Sequence, residues 1–114
     1  MPPERPRSQG RPGASSNLLH VELLQEKAAN LGRLARKLER ALAALREYDE
    51  AAGRNPPAPS RRRELLADAG DALFSYIVQR EVLGLRGTAQ ALDELRVPPE
   101  VRLCMAPRSV LLAR

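Results

Sequence analysis

The stretch LLHVELLQEKAANLGRLARKLERALAALREYDEAA, residues 18–52, decides the fold. No proline interrupts it. Leu24, Leu31, Leu38 and Leu45 recur every seven residues, and Val21, Ala28, Ala35 and Leu42 stand three residues before each of them. Apolar positions spaced three and four apart share one side of an α-helix, so the stretch predicts a single long amphipathic helix. Gly32 is out of place in it, because an interior glycine costs about 1 kcal/mol relative to alanine. Either Gly32 lets another backbone or a large side chain approach closely, the reading that the small neighbours Ala28, Ala29 and Ala35 favour, or it is a tolerated weakness.

Working outward, Ser16 or Asn17 offers a side-chain oxygen to cap the helix start. Gly53 suits a left-handed cap at its end, and Pro56, Pro57 and Pro59 cannot continue it. The turn predicts an antiparallel partner helix over about 61–84, capped by Ser60, with Leu66, Ala69, Leu73, Tyr76, Ile77 and Leu83 as its apolar stripe. Gly84 and Gly87 break that pattern. Two short helices follow, about 88–96 with Thr88 as cap and about 98–105 opened by Pro98 and Pro99. The expected fold is all-α: a long antiparallel helical hairpin, about 18–52 and 61–84, with the two short C-terminal helices capping one end. In that arrangement the first residues of the long helix (Leu18, Leu19, Val21, Leu23 and Leu24) overhang the partner and are apolar nearly all round, which predicts that the C-terminal helices fold over them.

The flanks read differently. Residues 1–16 hold four prolines, two glycines and three arginines against one glutamate, the composition of a disordered basic tail. Residues 17–106 form the expected single helical domain, and 107–114 a flexible C-terminal tail. The single cysteine, Cys104, excludes an internal disulfide and fits a reducing compartment. No apolar run follows the N-terminal arginines as a secretory signal requires, and none approaches the ~20 residues that span a bilayer. The cytoplasm is the expected setting.

The chain carries a net charge of +5, almost all of its basic residues being arginine. Two clusters stand out as a candidate basic patch: Arg33, Arg36, Lys37 and Arg40 on the outer side of the long helix, and Arg61, Arg62 and Arg63 at the start of the second. Three arginines oppose the dipole at a helix N-terminus, but the antiparallel register brings them beside Glu47, Asp49 and Glu50, which predicts mutual neutralisation. Nucleic-acid binding calls for aromatic residues interleaved with the basic ones or a recognisable reading motif, and neither is present.

Arg80 lies in line with an apolar stripe, where an unpaired guanidinium is costly, so it requires a carboxylate or carbonyl partner or must extend its head to water. The register places the triplets Gln25-Glu26-Lys27 and Gln79-Arg80-Glu81 opposite one another as a candidate buried polar network. His20, the only histidine, has no second ligand nearby in sequence and makes a poor metal site. Cys104, among Val101, Leu103 and Met105, reads as a small buried hydrophobe. A His20–Cys104 pair would lack an orienting third group. No glycine-rich phosphate loop or paired-carboxylate motif occurs. Neither a catalytic site, nor a cofactor, nor a small-molecule substrate is indicated.

Three segments, LLQEKA at Leu23–Ala28, QREVLGLR at Gln79–Arg86 and VPPEV at Val97–Val101, resemble those of a group of small all-helical bacterial proteins of unknown function. That resemblance covers about residues 18–106 and implies a helical domain without bringing an activity, ligand or site. The function expected from the residues is protein–protein contact, by self-association or with another protein, in an uncharacterised helical scaffold. The alternative is a basic accessory protein on nucleic acid.

Overall fold

The computed structural model describes residues 13–52 and 59–112, with the side chains of 13–15, 108 and 109 left aside. Five helices follow in order: α1, Gly13–Ala52; α2, Pro59–Val82; α3, Thr88–Glu94; α4, Pro99–Leu103; and α5, Arg108–Leu112. No strand occurs among the described residues. The helical hairpin with short C-terminal helices is therefore the fold.

The boundaries depart from expectation at several ends. α1 begins at Gly13, so Ser16 and Asn17 lie inside it rather than capping it, and Ser60 likewise lies in the first turn of α2. Residues 1–12 of the expected tail, and the expected Gly53 cap, lie outside the described residues. The hydroxyl of Thr88 does not cap α3, whose N-cap is Gly87 in a left-handed conformation. The C-terminal stretch read as a flexible tail instead forms α5, and Leu111 reaches α2.

By its contacts the chain divides into two units, Met1–Asn30 and Leu31–Arg114. Within the first, the helix from residue 13 to 30 has no buried side chain among those described, and Leu18, Leu19, Val21, Leu23 and Leu24 are all exposed. The expectation that the C-terminal helices cover these residues is thus overturned.

The second unit holds the core. Leu38, Leu42 and Leu45 of α1 meet Leu65, Ala69, Ala72, Leu73 and Tyr76 of α2, and Leu92, Val97 and Val101 close the cluster from the C-terminal segment. A fully buried leucine contributes about 2 kcal/mol by removal from water, so the seam leucines 38 to 45 carry much of the stability. The C-terminal segment starts at the end of α2 and runs back along it. Arg62, in the first turns of α2, binds Glu100 at the start of α4.

Two helix ends close in the same way. Gly84 N–H bonds Glu81 O and Leu85 N–H bonds Arg80 O, the paired bonds of a left-handed C-terminal cap, with Gly84 at φ +71°. At the end of α3, Arg96 N–H bonds Asp93 O and Val97 N–H bonds Leu92 O. There the left-handed position is held by Arg96 at φ +58°, a conformation that costs a residue with a Cβ about 1 kcal/mol.

The glycine that brings elements together is Gly70 rather than Gly32. A Cβ at Gly70 would lie 2.1 Å from the Cys104 carbonyl oxygen and 3.1 Å from Leu111 Cδ1, so only glycine lets the chain after α4 rest on α2. A Cβ at Gly32 would meet only the Arg36 guanidinium, at 3.5 Å. The expected close approach there is absent.

Candidate functional site

Arg80 is buried, 9 % exposed, as its place on the stripe required. Its Nη2 donates to the Arg86 carbonyl at 2.6 Å and its Nε to Thr88 Oγ1 at 3.4 Å, while the guanidinium carbon stands 5.8 Å from the centre of the Tyr76 ring. A carbonyl, a hydroxyl and an aromatic face satisfy the charge locally and fasten the turn between α2 and α3. Of the expected network, Gln25, Glu26 and Lys27 belong to the first unit, and Gln79, Arg80 and Glu81 to the second. Gln25 and Glu26 are exposed, Lys27 half-buried, Gln79 half-buried and Glu81 exposed. Arg80 is a structural cation.

In the cluster at the start of α2, Arg62 is consumed in the fold, while Arg63 is exposed. Arg62 donates from Nε and Nη2 to the two Asp49 carboxylate oxygens at 2.8 and 3.1 Å, and from Nη1 and Nη2 to Glu100 at 2.8 and 2.9 Å. One guanidinium thereby ties the end of α1, the start of α2 and the start of α4 together. The hydrogen bonds from Arg62 hold both carboxyls below the usual carboxylate range, and those two partners raise the Arg62 value above its ordinary one. Arg61 pairs with Glu64 one turn on, at 3.2 Å. The neutralisation read from sequence involves Asp49 as expected. Glu100 was not foreseen, because no local pattern links positions thirty-eight residues apart.

The first cluster stands differently. Arg33, Arg36, Lys37 and Arg40 are all exposed on α1. Lys37 and Arg40 form one rim of an open groove of about 430 Å³ between α1 and α2. Ala41, Ala44, Leu65 and Ala72 line its floor, and Asp68 and Asp71 form the other rim. On the opposite side of α1, Glu39, Leu42 and Arg46 share a second cleft of about 380 Å³ with Glu94, Leu95 and Arg96.

His20 is exposed and Cys104 half-buried, the latter beside Arg63, Leu66, Ala67 and Leu111. No group of histidine, cysteine or acidic side chains able to hold a metal ion occurs among the described residues. No described helix is long and apolar enough to cross a membrane. Among the described residues the surface includes an exposed apolar helix start and a charged, alanine-floored groove. Sequence reading identified the basic rim but neither the acidic one nor the groove, because Asp68 and Asp71 lie on α2 and border the same groove only through the hairpin.

Neither a curated protein nor a solved structure matches the chain. The model of a family of unknown function, DUF6665, matches residues 8–109. With nearly its whole length matched, the chain belongs to the family of unknown function DUF6665.

Proposed function

We propose that the protein works without catalysis, as a helical interaction module that binds protein through the start of α1. The supporting observation is the exposure of Leu18, Leu19, Val21, Leu23 and Leu24, between 47 % and 65 %, on a helical segment with no core of its own. Five large apolar side chains exposed within seven residues of one helix support an interaction site there. An isolated helix of such length is marginal in water, so a bound partner also stabilises the segment itself.

Replacing Leu19 and Leu23 with serine tests this reading. The full chain isolated from its own cell is expected to associate, with itself or with a stoichiometric protein partner, and the variant is expected to lose that association in sedimentation velocity. A full chain that sediments as a monomer free of any stoichiometric partner overturns the reading. The nucleic-acid alternative keeps Arg33, Arg36, Lys37, Arg40 and Arg63, since Arg61 and Arg62 are engaged by acidic side chains. It requires DNA binding at low salt that weakens steeply as salt rises.

A further inference from the structure

We infer that the partner is a second copy of this chain, and that the α1 start of each copy lies in the α1–α2 groove of the other. This rests on the interaction-module reading above. It adds the identity of the occupant and the place where it sits.

The argument begins with the helix start as a ridge. Leu19 and Leu23 are one turn apart and share a line along the helix. At 100° per residue, Glu22 and Glu26 flank that line on one side, and His20 and Lys27 flank it on the other. The ridge is therefore apolar at its crest, acidic on one edge, and basic or hydrogen-bond-donating on the other.

The groove is the counterpart. Its floor is made of small side chains and Leu65, which leaves room for two leucines. One rim carries Lys37 and Arg40, and the other carries Asp68 and Asp71. Those two aspartates already have contacts within the chain, so they supply the sign of the rim rather than free partners. Lys37 and Arg40 stand about 4.5 Å apart along the helix axis, and Glu22 and Glu26 about 6 Å, so the two pairs can meet one to one.

Helix handedness then selects the direction. With the leucine crest on the groove floor, a ridge antiparallel to the groove's own α1 sets Glu22 and Glu26 beside Lys37 and Arg40, and turns His20 and Lys27 toward Asp68 and Asp71. The parallel direction exchanges the two edges and sets like charges against each other. Antiparallel is also the direction in which two copies related by a two-fold axis trade ridge and groove, each surface being used twice. An unbroken α-helix cannot double back along its own length, so ridge and rim, both on α1, are brought together by two molecules. Like-charge neighbours four apart on a helix, here Arg33 with Lys37 and Arg36 with Arg40, weaken it slightly, a cost that an acidic ridge lying on them offsets.

A charge swap tests the proposal in the full chain. The variant E22K/E26K and the variant K37E/R40E each set like charges across both contacts of the dimer, and each is expected to dimerise more weakly by on the order of tenfold or more. Mixed in equal amounts, the two restore both contacts, and a heterodimer close to wild-type affinity is expected by sedimentation or native mass spectrometry. All four side chains are exposed, so unchanged circular dichroism and melting separate loss of contact from loss of fold. Dimerisation of both variants as tight as wild type overturns this site, as does a mixture that fails to recover, while the interaction-module reading survives either result. A wild-type chain that stays monomeric but carries a different stoichiometric protein overturns the second copy alone. A monomer carrying nothing overturns both.

Discussion

Leu24 and Leu38 hold the same position of the heptad repeat in one helix, two heptads apart, and their fates are opposite. Leu24 is 47 % exposed, whereas Leu38 is fully buried. From residue 31 onward the seam finds Leu65, Ala69, Leu73 and Tyr76 of α2, while the side chains of residues 16–30 stay largely outside any core. The difference teaches that a heptad states which side of a helix is apolar, not what will cover it. Where the chain supplies a partner, the seam becomes core. Where it does not, the same seam stays exposed.

The largest expected effect breaks this contrast directly. Leu38→Ala leaves a cavity in the centre of the core and is expected to cost about 3–5 kcal/mol of unfolding free energy, against less than about 0.5 kcal/mol for Leu24→Ala, measured by chemical denaturation of dilute protein. Equal losses at the two positions would mean that the α1 start is packed after all. A second pair sharpens the contrast for glycine. Gly70→Ala drives a methyl into the Cys104 carbonyl and is expected to destabilise by about 2 kcal/mol or more, while Gly32→Ala, which meets only the Arg36 guanidinium at ordinary contact distance, is expected to stabilise by up to about 1 kcal/mol.

A smaller effect is set by pH. Asp49 and Glu100 have lower pKa values folded than unfolded, so their pairing with Arg62 adds stability above the ordinary carboxylate range and loses it as pH falls through that range. The side chains are a third to a half exposed, so Arg62→Met is expected to cost no more than about 1 kcal/mol at pH 7, and almost nothing once both carboxyls are protonated. A penalty that persists at low pH would assign Arg62 a packing role instead. The mildest change is Arg96→Gly, which relieves the left-handed conformation at the end of α3 and is expected to stabilise by about 1 kcal/mol in thermal melts.

The long helix, its partner and the short helices were legible because they rest on local spacing and on proline and glycine. Arg80 was legible as a buried cation, since a charge on an apolar stripe must be satisfied somewhere. Its partners were not, because the register argument looked across the hairpin while the chain itself turned back at Gly84 to offer the Arg86 carbonyl. Gly70 passed unnoticed for a related reason: the backbone pressing on it arrives from Cys104, far along the sequence. The C-terminal stretch was misread because Val110, Leu111 and Leu112 are too few to fold alone, and only the presence of α2 gives them a surface. For the candidate site, the four charges on α1 could be read from spacing, whereas the groove they border exists only once α2 lies alongside.

The central claim is that residues 18–28 are a docking segment and that residues 38–45 belong to the core. Amide hydrogen exchange followed across a wide range of protein concentration compares the two in one experiment. The account predicts that exchange at 18–28 slows markedly as concentration rises and the second copy binds, while 38–45 stays equally protected throughout. Exchange at 18–28 that is independent of concentration, up to the limit of solubility, would contradict it.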